Sequence, residues 1–197
     1  MATFDHITLR TKRLLLRPTQ TCDAADLFAI FSDPRVARYL SKPPWTDIGH
    51  AHARIARDID AMQKGSYLCL GIVRTDTGQL IGECSLFNWV EQCRRAELGY
   101  SMALDAWGHG FMHEALTALL DHGFADMQLN RVEADIDPRN TASATSLTRL
   151  GFVKEGHLRQ RWIVGDEVSD SELFGLLASD WQLRAMPQKV ALPSPHR

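Results

Sequence analysis

The stretch Leu104–Phe124, "LDAWGHGFMHEALTALLDHGF", sets two glycines around a histidine directly before an amphipathic segment. Leu116, Leu119, Leu120 and Phe124 fall on one helical face, and Met112 extends that face by a turn. A helix therefore starts near Gly110 or Phe111, with Gly108 and Gly110 on its approach. Glycine there costs backbone entropy, and it lets the backbone come close to something else. The first N–H groups of a helix lack internal partners, and the helix dipole makes that end positive. A glycine loop entering a helix N-terminus therefore suits an anion, most often phosphate. Turn glycines with no ligand are the plain alternative. A Walker P-loop is excluded, because no Gly-Lys-Ser/Thr follows. The three-glycine spacing of a Rossmann fingerprint is also absent.

On the N-terminal side of this stretch, three strand signals come in close order: Tyr67–Arg74, Leu80–Trp89 and Arg94–Met102. Their short connections make an antiparallel meander. Before them, Arg13–Pro18 is a short apolar run whose proline suits an edge or a strand end. Cys22–Asp33 has helical spacing with Asp23 as a cap, and Ser41–Asp47 carries adjacent prolines and must be a loop. Ile48–Gly65 reads as a helix with Ile48, Ile55, Ile59 and Met62 along its apolar stripe. On the C-terminal side, Arg131–Asp137 is a fourth strand, and Asn140–Phe152 is a short helix ending near Gly151. Val153–Val164 and Ser169–Trp181 are two late strand-like runs. The class is α+β, with one mixed, mostly antiparallel twisted sheet of about six to seven strands and about four flanking helices. A single domain is expected over residues 2–181. Residues 182–197 contain three prolines and are expected to form a loosely ordered tail.

The 197 residues are 45% hydrophobic and 23% charged, ordinary globular values for one domain. A formal net charge of -2 argues against a nucleic-acid partner held by a broad basic field, although "RLLLRPT" and "LRQRW" are locally basic. No apolar run approaches the roughly 20 residues of a membrane span, and the N-terminus lacks a secretory h-region. The chain reads as cytosolic, with no membrane partner. Cys22, Cys69, Cys84 and Cys93 form no C-x-x-C pair and read as free thiols, with Cys69 and Cys84 buried in strands.

Trp107-Gly108-His109-Gly110-Phe111-Met112, preceded by "AELGYSM" (Ala96–Met102), resembles the acyl-CoA-binding signature of the GNAT superfamily of N-acetyltransferases. That signature runs Arg/Gln-x-x-Gly-x-Gly/Ala. The departures, Trp at its first place and Met at its last, are familiar in the branch that modifies ribosomal-protein N-termini. "DPRNTASATSLTRLGFVKEGHLR" (Asp137–Arg159) is similar to that branch's Asn-x-x-Ser, Leu-Gly-Phe and Glu-Gly pattern. Asp170–Leu177 followed by Asp180-Trp181 resembles its last strand, so the likeness runs from Arg13 to Trp181.

The resemblance implies a GNAT fold and acetyl-CoA as co-substrate, with no metal. It puts the pyrophosphate over Trp107, Gly108, His109, Gly110, Phe111 and Met112, with His113 also among the cofactor-binding residues. The pantetheine arm would follow the backbone of Tyr100, Ser101, Met102 and Leu104, as a strand-edge addition. Asn140 and Ser143 would approach the sulfur. The acceptor would be a primary amine, with a protein N-terminal α-amine, such as that of a ribosomal protein, suggested by the branch. A small-molecule amine is the nearest rival, and a non-catalytic acyl-CoA-binding module is the rival from another class. The branch often forms homodimers.

Direct attack of an amine on a thioester needs a deprotonated amine, a stabilised oxyanion and a proton for the leaving thiolate. Glu97 is the first candidate for base, and it shares a strand face with Arg95, Gly99 and Ser101. It is either a base in a cleft or a carboxylate paired with Arg95 on a solvated face. Glu83, on the neighbouring strand, is the second candidate. Many GNAT enzymes use a tyrosine four residues before the glycine of the short helix, and here Leu147 holds that place. Ser143 or a water must then serve the departing sulfur. A backbone N–H near Met102 would stabilise the oxyanion. His109 and His113 stand at metal-capable spacing, but Thr117 occupies the second histidine position of an H-E-x-x-H motif, so no zinc site is expected. Trp45, Trp162, Arg159 and Arg161 are candidates for the acceptor pocket or, for the tryptophans, for core packing. An arginine there would favour a carboxylate-bearing acceptor.

Overall fold

The computed structural model describes residues 3–185. One eight-stranded sheet forms its centre: β1 (Leu9–Arg10), β2 (Leu14–Arg17), β3 (Leu68–Arg74), β4 (Leu80–Val90), β5 (Arg95–Met102), β6 (Arg131–Ile136), β7 (Val153–Val164) and β8 (Glu167–Leu177). The order across the sheet is β1-β2-β3-β4-β5-β6-β8-β7, and every neighbouring pair is antiparallel except β5 and β6. The helices are α1 (Ala24–Ser32), α2 (Pro34–Ala37), α3 (Gly49–Gln63), α4 (Phe111–Ala125), α5 (Thr141–Arg149) and α6 (Ala178–Ala185). The expected α+β architecture with a mixed, mostly antiparallel sheet is what forms, with eight strands instead of about six to seven and six helices instead of about four among the described residues, because the two-residue β1 and the short α2 and α6 carry little periodicity of their own.

The helix read from the opening stretch is α4, and its side chains fix one half of the core. Leu116, Leu119 and Leu120 are fully buried against Leu70, Leu86 and Val132 of the sheet in one apolar cluster. Burying each leucine is worth about 1.5–3 kcal/mol. A second cluster lies on the other face, where Leu27, Ile30 and Phe31 of α1 meet Ile55 of α3 and Val73 and Leu80 of the sheet. α4 carries the chain across the sheet from β5 to β6, and such a crossover is what a parallel pair requires.

Four details depart from the sequence reading. The run Ser169–Trp181 is not one strand: β8 ends at Leu177 and α6 begins at Ala178. α6 also carries regular structure to Ala185, past the expected start of a loose tail, while residues 186–197 lie outside the described residues. α2 falls in a stretch to which the sequence reading assigned no element, yet its signals are present: Pro34 opens it and the Asp33 side chain accepts from Arg35 N–H. On α3, Ile48 is 42% exposed, and the buried stripe instead contains Asp58 at 1%. Among the described residues, no helix is long and apolar enough to cross a membrane.

Candidate active site

β5 and β6 share only three ladder pairs, Arg95↔Arg131, Ala96↔Val132 and Glu97↔Glu133. Beyond Glu97 the two strands part. β5 continues to Met102 on β4, and β6 continues to Ile136 on β8. Leu98–Met102 therefore keep a strand edge with no ladder partner, and a cleft opens beside it. Two adjoining cavities, of about 620 and about 800 Å³, meet there and share Phe87, Gly99, Tyr100 and the loop Leu40–Pro44. Gly99 matters because a Cβ would stand 3.0 Å from the Phe87 ring and 3.1 Å from Ser85 Oγ, closing that junction.

The glycine loop lies at the end of β5. Gly108 and Gly110 both hold positive φ, +77° and +76°, which L side chains rarely adopt. Gly110 is the N-cap of α4 and provides no side-chain cap, so the first-turn N–H groups are left to a ligand or to water. The loop is tied down by Arg13, which sequence reading did not single out. Arg13 Nε donates to Glu114 Oε2 at 2.6 Å, and its Nη1 donates to the His109 carbonyl at 3.0 Å. Thr11 Oγ1 donates to Glu114 Oε1 at 2.6 Å. Burial acts to raise the Glu114 carboxyl, and the hydrogen bonds from Thr11 and Arg13 outweigh it and hold the group below its usual range. Trp107 is 47% exposed, and its indole N–H donates to the Met102 carbonyl at 2.8 Å. Its side chain thus braces the loop against β5, and the Met102 oxygen is already engaged.

A free strand edge running into an uncapped helix N-terminus can hold an extended amide-bearing arm that ends in phosphates. Residues 13–153 match the family described as acetyltransferase (GNAT) domain. The chain belongs to the GNAT N-acetyltransferases. It is 38% identical over 175 residues to a Bacillus licheniformis protein described as uncharacterized N-acetyltransferase p20, covering 88% of this chain and 98% of that one. It is 30% identical over 183 residues to the [ribosomal protein uS5]-alanine N-acetyltransferase of Escherichia coli, covering 89% and 93%. The fold matches a GNAT-family acetyltransferase structure from Bacillus anthracis with a TM-score of 0.79 at 21% identity, over 88% of this chain and 99% of that one. Family membership implies acetyl-CoA as the acyl donor.

In this acetyltransferase the candidate carboxylates occupy different surroundings. Glu97 lines the smaller cavity at the point where β5 and β6 part, opposite Phe87 and Glu133. Glu83 lines the larger cavity and is 6% exposed. Its Oε1 accepts from Arg54 Nη2, while its Oε2 is buried with no partner among the described residues. Ser101, its cross-strand neighbour, also has a buried, unpartnered Oγ. Behind them, Arg54 Nε donates to Asp58 Oδ2 at 3.1 Å and Arg57 Nη2 to Asp58 Oδ1 at 2.6 Å. Burial pushes the Glu83 carboxyl up, Arg54 pulls it down, and Asp58 adds to the rise; the net shift is upward. Asp58, Cys69 and Glu83 bring ligand atoms within 4.8 Å of one another, but the Arg54 guanidinium already supplies the positive charge between the two carboxylates.

On α5, the Asn140 side chain is the N-cap and accepts from Ser143 N–H at 3.1 Å. Ser143 Oγ lies 2.6 Å from the Tyr100 hydroxyl. Leu104 opens a single 3₁₀ turn, Leu104–Ala106, before the glycine loop. Trp45 lines the larger cavity, stacked on Phe31 with ring centroids 4.6 Å apart. Trp162 lines the smaller one, and its indole donates to Asp135 Oδ1 at 3.3 Å. Arg161 points to the same Asp135 at 3.5 Å, and Arg159 on β7 lines neither cavity. Arg54, Tyr67 and Asp135 join the cavity walls unannounced by any motif, and Asp58 holds Arg54 from behind. Only the i,i+4 spacing of Arg54 and Asp58 was a usable signal.

Proposed function

We propose that this N-acetyltransferase acetylates a protein N-terminal α-amine, and that Glu83 is the base that receives the amine's proton. The carrying observation is the pair of buried, unpartnered oxygens, Glu83 Oε2 and Ser101 Oγ, on the wall of the larger cavity. An isolated buried acceptor is costly, so a group that brings a donor there is favoured. A protonated amine brings such donors, and a carboxyl with a raised pKa is suited to take one of its protons at neutral pH. An α-amine needs little help, because its reference pKa is about 7.7–8.0.

Acetyl-CoA is placed with its phosphates at Trp107–His113 and its arm along Tyr100, Ser101, Met102 and Leu104. Asn140 and Ser143 lie toward the sulfur. Side chains alternate along β5, so Tyr100 faces α5 while Gly99 and Ser101 face α3. Donor and acceptor thus approach from opposite faces and meet at the gap beside Gly99. Trp45 bounds the acceptor's route, with Trp162 on the adjoining wall. Arg161 is spent on Asp135, and Arg159 is left to more distant parts of a protein acceptor. The acceptor in the E. coli relative's name, the alanine of ribosomal protein uS5, supports the choice of an α-amine. A cytosolic site of action follows from that acceptor class. A homodimer would use β7, one of the two edge strands of the sheet.

The test is incubation with acetyl-CoA and three acceptors: an alanine-initiated peptide, the same peptide with a blocked N-terminus, and a polyamine. Mass spectrometry should find acetyl on the α-amine of the first alone. Acetylation of the polyamine alone would replace this acceptor with a small-molecule one.

A further inference from the structure

Leu147 stands four residues before Gly151, where the sequence offers no phenol, and it is fully buried, at 0% exposure. A phenol nevertheless reaches the same helix from another element. Tyr100, on β5, sets its hydroxyl 2.6 Å from Ser143 Oγ and 3.5 Å from the Ser143 carbonyl oxygen. The two residues are 43 apart in sequence, and they stand on the two sides of the gap left where β5 and β6 part. Tyr100 lines both cavities, so its ring borders the junction at which donor and acceptor meet. Ser143 is itself held by the Asn140 cap at its N–H. The hydroxyl pair is therefore fixed from both ends.

We infer that Tyr100 is the acid of the reaction, giving its phenolic proton to the departing CoA thiolate while Ser143 holds the phenol in position. This rests on the acetyl-transfer reading of the same site. Glu83 first takes the ammonium's proton and releases it to solvent; as the neutral amine nitrogen then bonds to the thioester carbonyl carbon, Glu83 takes the second proton from nitrogen. The carbon–sulfur bond breaks with its electron pair on sulfur, and the Tyr100 proton moves to that sulfur. Solvent returns a proton to the phenolate and removes one from Glu83, leaving amide and free CoA. The assignment favours the phenol over serine because an aliphatic hydroxyl gives up a proton far less readily. A phenol, at about 10, lies close to a thiol, at about 8.5. Burial pushes the Tyr100 phenol up to about 12, with the Ser143 hydrogen bond opposing it, so the proton stays on oxygen until an anion forms beside it. Glu97, Asp135, Asp137 and Arg139 also line the smaller cavity, and Arg139 is paired with Asp137.

The experiment compares wild type, Tyr100→Phe and Ser143→Ala in single-turnover acetyl transfer, with acetyl-CoA and with its selenoester analogue. A selenolate leaves as a stable anion and needs no proton. The expected result is a loss of about 30-fold or more for Tyr100→Phe with the thioester, within the range of general acid catalysis. The selenoester should bring that variant to within about threefold of wild type, and acetyl-CoA affinity should be unchanged. Ser143→Ala should lose less than Tyr100→Phe and be rescued in the same way. An equal loss on both donors would make Tyr100 a structural residue and overturn the inference. So would full activity of Tyr100→Phe, or a loss confined to Ser143→Ala. If wild type transfers acetyl from neither donor, the acetyl-transfer reading of the site falls, and the inference falls with it.

Discussion

Glu83→Gln is expected to lower kcat by about 100-fold or more while leaving acetyl-CoA affinity within about twofold. Glutamine keeps the volume and can still accept from Arg54, but it cannot take the amine's proton. Alanine would be a poorer test, because Arg54 would lose one of its two carboxylate partners in a largely buried site. Breaking such a pair typically costs about 3–5 kcal/mol of stability. The same residue governs pH dependence. The base works only when ionised, so kcat should rise with pH through the Glu83 titration. Burial places that limb above the reference glutamate value of about 4.3. In Glu83→Gln the limb should disappear. Glu97→Gln is the control, expected to stay within about fivefold of wild type. Loss of activity in Glu97→Gln with Glu83→Gln intact would move the base to the point where β5 and β6 part.

Gly110→Glu is expected to weaken acetyl-CoA binding by about 30-fold or more, which is about 2 kcal/mol. Two effects add. A φ of +76° is strained for any residue with a Cβ, at about 1–2 kcal/mol. The new carboxylate would also stand at the positive end of α4, where the phosphates are placed, and compete with them for the same N–H groups. Gly110→Ala separates the two effects and should weaken binding by no more than about tenfold. Its Cβ would meet Arg13 Nη2 at 3.6 Å, an ordinary contact, so the loss reports backbone strain. The buried face of α4 is untouched, so both variants should remain folded. Equal binding by wild type and Gly110→Glu would mean that the loop holds no phosphate.

The parts of the fold that could be read from sequence are those with strong local periodicity. The leucines at 116, 119 and 120 announce α4, and the closely spaced strands from Tyr67 to Met102 announce the meander. Asp58 is missed from the buried stripe because a carboxylate is expected to face solvent until Arg54 and Arg57 are seen to cover it. The break between β8 and α6 escapes for another reason: Leu176, Leu177 and Ala178 are apolar and suit either element. At the site, the glycine loop was legible because positive φ leaves a residue-type signature. The unpartnered oxygen of Glu83 was not, since it depends on the β4–β5 register and on a guanidinium from α3. Nor was the meeting of Tyr100 with Ser143. Sequence names Tyr100 as a strand residue, and only the parting of β5 from β6 shows what its hydroxyl reaches.

Hydrogen–deuterium exchange with and without acetyl-CoA tests the placement of the donor most directly. The expected result is new protection in Leu98–Met102 and in Gly108–His113, with β1 to β3 unchanged. Protection confined to α1–α3, with the free edge of β5 and the glycine loop exchanging as before, would contradict it.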